Sequence, residues 1–106
     1  MAASDSSSEW FRTVAVSLYV LAGIAAGDAL CAAALGKRSR GQDHREAVRL
    51  LSTVEPDGAA HASSLRTLLD YKDGAHYSPS LIDQAAEKKA LRAAQSLVEA
   101  AKRVTR

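Results

Sequence analysis

One apolar segment constrains the fold of this chain more than any other feature of its sequence. Residues 13–35 form a run of 23 residues with a single charged side chain, Asp28. Much of the run is Ala and Gly, and the whole chain of 106 residues contains 22 alanines. Alanine is the strongest helix former, but it fills little core volume. The segment is therefore expected to form a thin helix that neighbouring helices approach closely.

The same segment is long enough to cross a bilayer, which needs about 20 apolar residues. Gly23 and Gly27 have the G-x-x-x-G spacing at which transmembrane helices pair. Asp28 argues against insertion, because a carboxylate in the hydrocarbon core costs about 2.5–3.5 kcal/mol. The central helix of a soluble bundle accounts for the same residues without that cost. We therefore expect no membrane association.

Length and composition restrict the class of protein. A length of 106 residues fits one domain, and only six Gly and two Pro disfavour a sandwich of short strands. The one cysteine, Cys31, cannot form an internal disulfide and is expected to be a small buried hydrophobe. Residues 1–8 carry no positive charge, so we expect no signal peptide and a cytoplasmic location.

Four helical segments are predicted, near residues 8–35, 43–54, 59–73 and 79–104. Ser6 and Glu9 have capping-box spacing at the start of the first segment, and Gly36 follows its end. Ser78 is the expected cap of the fourth segment, with Pro79 at the first helical position. No strand-like alternation appears. The prediction is a single all-α domain over residues 1–106, an antiparallel four-helix bundle.

The fourth segment carries a regular apolar stripe. Its members recur at spacings of three and four residues, close to a coiled-coil seam: Ile82, Ala86, Ala90, Ala93, Leu97, Ala100 and Val104. The second and third segments have shorter apolar faces, built from Ala47, Val48, Leu50, Leu51 and Val54 and from Ala62, Leu65, Leu68 and Leu69. Each stripe is expected to face the core.

The first helix, at about 42 Å, has more apolar surface than two or three short partners should cover. We therefore predict a homodimer through this helix, with Gly23 and Gly27 at the contact. Trp10 and Phe11 are expected to anchor the start of the helix against the bundle or a partner chain. Asp28 is expected either to face solvent or to pair with a basic side chain of a neighbouring helix.

Several catalytic and metal-binding motifs fail when tested. Residues 36–41 have the glycine spacing of a phosphate loop, but Gln42 stands where that loop needs Lys. His44, His61 and His76 lie 17 and 15 residues apart, too far for a local metal site. We expect no metal and no cofactor, and a surface position for His61.

Two polar junctions remain as candidate sites, and the first is the basic segment 37–45. Arg38 and Arg40 could hold phosphate oxygens through their planar forks, and His44 is of the type that titrates near neutrality. The alternative is a solvated loop in which basic residues complement the dipole of the first helix and Asp43 caps the second.

The second junction is the segment 70–79. His76 adjoins Tyr77 and lies one turn after Lys72, so the three could form an acid–base and anion-binding set. The alternative is that the tyrosines pack over the end of the bundle and their hydroxyls find backbone partners. For Tyr71 we expect packing.

The two junctions and the helices around them resemble the HEPN superfamily, small helical bundles of bacteria and archaea. The segments that carry this resemblance are 22–31, 44–47, 68–77 and 93–101. In one branch a basic residue, here Lys72, precedes an alanine, a polar residue and a tyrosine, here residues 75–77. The resemblance implies a dimeric bundle of four to five helices in a toxin–antitoxin type system, often encoded beside a nucleotidyltransferase partner.

The resemblance also implies an activity. Active members are metal-independent ribonucleases with an Arg and a His separated by four to six residues; Arg38 and His44 fit this spacing, whereas Arg40 does not. His44 or His76 would act as general base on a ribose 2′-hydroxyl while Arg38 and Arg40 hold the phosphate.

The leading hypothesis is a HEPN-like domain that binds RNA or a nucleotide phosphate, with Arg40, Lys72 and Tyr77 as ligand-binding residues. Because the net charge is only +2, the local basic segment and not the whole surface would attract nucleic acid. The alternative hypothesis is a non-catalytic helical module for protein interaction or dimerisation.

Overall fold

A computed structural model describes residues 2–38, 44–75 and 82–104 of the chain. The described residues form four helices and no strand: α1 (Ala2–Leu35), α2 (His44–Ser52), α3 (Gly58–Ala75) and α4 (Gln84–Val104). The predicted all-α fold of four helices is confirmed. The antiparallel arrangement and the dimer stay predictions.

Helix α1 is longer than predicted, because it begins at Ala2 and not near residue 8. Ser6 therefore lies inside the helix, and its prediction as a cap is wrong; Ala2 and Ala3, both strong helix formers, extend the helix beyond it. The end of α1 is as predicted. Gly36 adopts a φ of 70°, and its backbone N–H donates to the carbonyl of Ala32 over 3.0 Å, which satisfies one of the last free carbonyls.

The core lies between α1 and the other three helices, with α4 as its most extensive partner. Its buried side chains come from all four helices, and the largest that are fully buried are Val16, Leu30, Leu51, Leu68 and Leu97. The predicted apolar faces of α2, α3 and α4 all contribute to it. In the α4 stripe only Val104 is exposed, and Ile82 is buried although it precedes the helix.

Gly23 and Gly27 lie on the core side of α1. A Cβ on Gly23 would collide with Leu68 and come within 3.5 Å of Leu97. A Cβ on Gly27 would meet Leu51 at 3.5 Å. The two glycines therefore bring α1 close to leucines of the same chain, and a dimer would have to use another face of this helix.

The connection between α2 and α3 is a tight turn at residues 53–57. Asp57 has a φ of 67°, and Gly58 then begins α3. A Cβ on Gly58 would lie 2.5 Å from the carbonyl oxygen of Ser52, so only glycine fits where the two helices meet. The turn also corrects the prediction for His61. This residue is buried and borders a groove that Leu30, Val54 and Ala100 also line, because the turn directs the first turn of α3 towards the core.

Helix α4 begins at Gln84, five residues later than predicted. Its cap is Asp83, whose carboxylate accepts a hydrogen bond of 2.8 Å from the backbone N–H of Ala86. The prediction of Ser78 as the cap is therefore wrong for this helix start; Ser78 and Pro79 themselves lie outside the described residues.

Three further expectations concern single side chains. Cys31 is buried and Tyr71 packs against the core, as predicted. Trp10 and Phe11 do not pack against the bundle, because they remain 61% and 75% exposed. Packing of these two side chains against a partner chain stays a prediction.

The segment Ser8–Leu35 within α1 meets the length and hydropathy criteria for a membrane span. Core helices of soluble proteins meet the same criteria, and Val16, Val20 and Leu30 of this segment are buried inside the bundle.

Candidate functional site

A contact between α2 and α3 joins the two polar junctions. The amine of Lys72, in the last turn of α3, lies 3.0 Å from Nε2 of His44, the first residue of α2. The two residues are 28 positions apart in the sequence, and both side chains are partly buried. Each was predicted as a site residue, but their spacing in the sequence did not predict that they contact each other.

The chemistry of this contact determines its direction. A lysine ammonium has three donors and no acceptor, so Nε2 of His44 accepts and the ring proton lies on Nδ1. One Lys72 proton is used in this hydrogen bond, and two remain for another acceptor. The pair can therefore present a cation to a ligand while holding the imidazole in one orientation.

A small cavity lies beside His44 towards the core. Its volume is about 20 Å³, enough for about one water molecule, and its lining includes Asp28, Cys31 and His44. Burial raises the pKa of the Cys31 thiol, and the negative charge of Asp28 raises it further. Cys31 is therefore a protonated, unreactive thiol at neutral pH.

Asp28 is paired by a residue that follows its own helix. A guanidinium nitrogen of Arg38 lies 3.5 Å from a carboxylate oxygen of Asp28. The side chain of Arg38 is 67% exposed, so water screens this pair and its contribution to stability is small. The pair places the guanidinium of Arg38 next to Asp28, which lines the same small cavity as His44.

An open cleft of about 260 Å³ lies on the outer side of His44. It is lined by His44, Arg45, Val48, Arg66, Leu69 and Asp70. Among the described lining residues, two arginines and a histidine thus share one concave surface with one acidic residue, Asp70. Sequence reasoning missed Arg66. The signal for it is its place on α3, three and four residues before Leu69 and Asp70, which puts all three on the helix face that borders the cleft.

A second groove, of about 280 Å³, lies between α1 and the end of α3. It is lined by Thr13, Val16, Ser17, Val20, Leu21, Tyr71 and Lys72. Lys72 therefore borders an apolar groove and also contacts His44, which borders the basic cleft.

The remaining predicted site residues are Arg40, His76 and Tyr77, and all three lie outside the described residues. Within the part of the chain that the structure describes, no group of three His, Cys, Asp or Glu side chains could hold a metal ion.

Comparison with known proteins gives no relative from which a function could be transferred. No protein-family model, no curated protein and no solved structure matches this chain at a significant level. The similarity to the HEPN superfamily is therefore a hypothesis that rests on the sequence motifs alone.

Proposed function

We propose that this chain binds a phosphate group of RNA or of a nucleotide at the end of the bundle where α2 begins. The observation that carries this proposal is the contact between Lys72 and His44, because it brings one residue from each of the two polar junctions to one place. A phosphate oxygen can accept from the two remaining Lys72 protons without breaking that hydrogen bond.

The surroundings of the pair favour an anionic ligand. Arg45 and Arg66 border the adjoining cleft, and guanidinium groups bind phosphate oxygens in pairs. The cleft lies at the first residue of α2, where the helix dipole adds partial positive charge. Its volume of about 260 Å³ is just below the range of about 300–1,000 Å³ for small-molecule pockets, which suits a phosphate and part of a sugar.

The geometry favours binding over cleavage. A ribonuclease would need His44 as general base on a ribose 2′-hydroxyl, yet Nε2 already accepts a hydrogen bond from Lys72. Cleavage would therefore require this hydrogen bond to break when substrate binds. Arg38, the other member of the spaced Arg and His pair, is engaged with Asp28. Metal-independent ribonuclease activity, a nucleotidyltransferase-like partner, membership of a toxin–antitoxin system and a cytoplasmic location stay predictions.

Fluorescence anisotropy with a labelled single-stranded RNA tests the binding proposal. We expect Lys72→Met to weaken the affinity by about tenfold, because it removes the ammonium but keeps the length of the side chain. Lys89→Met is the matched control: it removes the same charge from an exposed position on α4. Equal losses in the two variants would show only non-specific attraction and would contradict the proposal.

Competition separates the two ligand sources. Unlabelled AMP at millimolar concentration should displace the RNA if a single nucleotide phosphate fills the site, whereas only RNA competitor will do so if several phosphates are needed. Incubating the same RNA with wild type and His44→Gln in EDTA tests cleavage. If wild type cleaves the RNA and His44→Gln does not, the proposal extends to catalysis.

The alternative function, a non-catalytic interaction module, is favoured by a different observation. Large apolar side chains of α1 remain exposed on the side opposite the core.

A further inference from the structure

The first half of α1 has an apolar face that no part of the described chain covers. Six large apolar side chains are exposed among the described residues, and five of them belong to this helix: Trp10, Phe11, Val14, Leu18 and Leu21, each between 54% and 75% exposed. Apolar side chains exposed singly are common, but a contiguous group of this size marks an interaction surface.

Four of these five side chains form one stripe along the helix, which Ala25 continues, and Trp10 lies beside it. Phe11, Val14, Leu18, Leu21 and Ala25 recur at spacings of three, four, three and four residues. This is the a/d pattern of a helix that packs against another helix. At about 100° per residue the stripe lies opposite the core-facing side of α1, so α1 has two apolar faces and the bundle covers only one of them.

The polar groups near the stripe already have partners. The hydroxyls of Thr13 and Ser17 donate to the carbonyls four residues before them, over 3.0 and 2.9 Å. The side chain of Arg12 donates to the carbonyl of Ile82. No charged residue occurs between positions 13 and 27. The face can therefore be buried without leaving these groups unsatisfied.

We propose that this face binds the same face of a second copy of the chain, with the two α1 helices antiparallel and a two-fold axis beside Leu18. The five large side chains expose on the order of 600 Å², which, if fully buried, reaches the lower end of the ~600–1,000 Å² per partner of standard stable interfaces. A self-complementary face of this kind closes on itself as a two-fold dimer and does not form filaments.

The sizes of the side chains select the antiparallel orientation. With the axis at Leu18, Phe11 of one copy faces Ala25 of the other, and Val14 faces Leu21 to within one residue. The largest side chain of the stripe then meets the smallest, and the two Leu18 side chains meet at the axis, which fills the interface evenly. A parallel pair would place Phe11 against Phe11 and leave a gap between the two Ala25 side chains. Antiparallel helix dipoles also attract each other.

A lipid surface is the competing occupant, and the charge pattern disfavours it. Helices that lie in a membrane interface are rich in Lys and Arg beside their apolar face. The stretch from 13 to 27 has no such residue, and the guanidinium of Arg12 is bonded to the chain itself.

Sedimentation velocity at 5–50 µM, roughly the range in which a standard-size interface is populated, tests the proposal. We expect wild type to be a dimer and Leu18→Glu to be a monomer, with dimer affinity at least about 100-fold weaker because the two-fold axis brings the two glutamates together. Val104→Glu is the matched control, since Val104 is exposed outside the stripe; this variant should remain a dimer. A monomeric wild type, a dimeric Leu18→Glu, or wild type that floats with neutral phosphatidylcholine vesicles would overturn the proposal.

Disulfide trapping tests the orientation. Two single variants, Phe11→Cys and Ala25→Cys, are made in a Cys31→Ala background, one with a longer tag, and are mixed and oxidised. The antiparallel dimer places these two positions within disulfide distance of each other, so the mixed disulfide should predominate. If Phe11→Cys instead forms a disulfide mainly with itself, the helices are parallel and the proposed axis is wrong.

Discussion

The amine of Lys72 and Nε2 of His44 lie 3.0 Å apart, and this contact joins the end of α3 to the beginning of α2. It has a structural role as well as the proposed role in phosphate binding. The start of α2 has free N–H groups, and the end of α3 has free carbonyls. A charge-assisted hydrogen bond links these two helix ends. The pair therefore fixes the direction of the imidazole as well as the place of the cation.

The first prediction concerns the tautomer of His44. Because the ammonium of Lys72 can only donate, the imidazole should carry its proton on Nδ1. Long-range ¹H–¹⁵N correlation spectra at pH 8 should show this Nδ1–H form in wild type. Lys72→Met removes the donor, and His44 should then shift towards the Nε2–H form. A wild-type spectrum with the proton on Nε2 would contradict the contact.

The second prediction concerns the cap of α4. Asp83→Ala removes the acceptor for the backbone N–H of Ala86 and should lower the free energy of unfolding by about 1 kcal/mol. Urea denaturation followed by circular dichroism measures the change. Asp83→Ser is the control, because a serine hydroxyl can accept the same hydrogen bond. If serine costs as much as alanine, the hydrogen bond of Asp83 does not stabilise the helix.

The helices and their core faces could be predicted from the sequence, because both follow from local periodicity. Leu65, Leu68 and Leu69 recur at helical spacing and are buried, as are Ala90 and Leu97 of the α4 stripe. Two errors arose where local signals competed. Ser6 has the spacing of a capping box, but the alanines before it continue the helix, and Asp83 caps α4 in place of Ser78.

The candidate site was predictable only in its parts. His44 and Lys72 each stood out as titratable residues at a junction, but their meeting depends on how α2 packs against α3, which no pattern within either helix encodes. The burial of His61 has the same origin. It depends on the turn before Gly58, where the backbone of Ser52 leaves no room for a Cβ. Contacts that depend on the packing of two helices were therefore the ones that sequence reasoning missed.

The third prediction concerns the reactivity of Cys31. Its side chain is buried, and both burial and the charge of Asp28 raise the pKa of the thiol above the ordinary 9.0. Only the thiolate reacts with Ellman's reagent. At pH 8 the native protein should therefore react at least about 100-fold more slowly than protein in 6 M guanidinium. Equal rates in the two states would show that Cys31 is accessible in the native fold.

The same thiol makes stability depend on pH in the alkaline range. Well below pH 9 the thiol is protonated in both the folded and the unfolded chain, so burial of the neutral thiol makes no pH-dependent contribution there. Above that pH the unfolded chain loses the proton first, because the folded pKa is raised, and stability falls as pH rises. The free energy of unfolding of wild type should therefore decline more steeply as pH rises above 9 than that of Cys31→Ala. Parallel curves for the two proteins would contradict this coupling.

The last prediction uses the two glycines of α1 as a matched pair. Both lie on the core side of the same helix, and alanine should raise helix propensity by about 1 kcal/mol at either position. They differ in the space around them. A Cβ on Gly27 meets Leu51 at 3.5 Å, which is ordinary contact, whereas a Cβ on Gly23 collides with Leu68. Gly27→Ala should therefore be neutral or stabilising, and Gly23→Ala should be about 1–3 kcal/mol less stable than it in urea denaturation.

A double variant separates overpacking from any other cause of the Gly23→Ala loss. Leu68 is fully buried, so it cannot leave the space that a new Cβ at position 23 requires without displacing its neighbours. In a Leu68→Ala background the colliding atoms are gone, and Gly23→Ala should then stabilise the protein by filling part of the cavity. The effect of Gly23→Ala is thus expected to change sign between the two backgrounds. An unchanged loss would mean that α1 does not pack against α3 at this position, and the glycine would then be free to lie in a contact with a second copy.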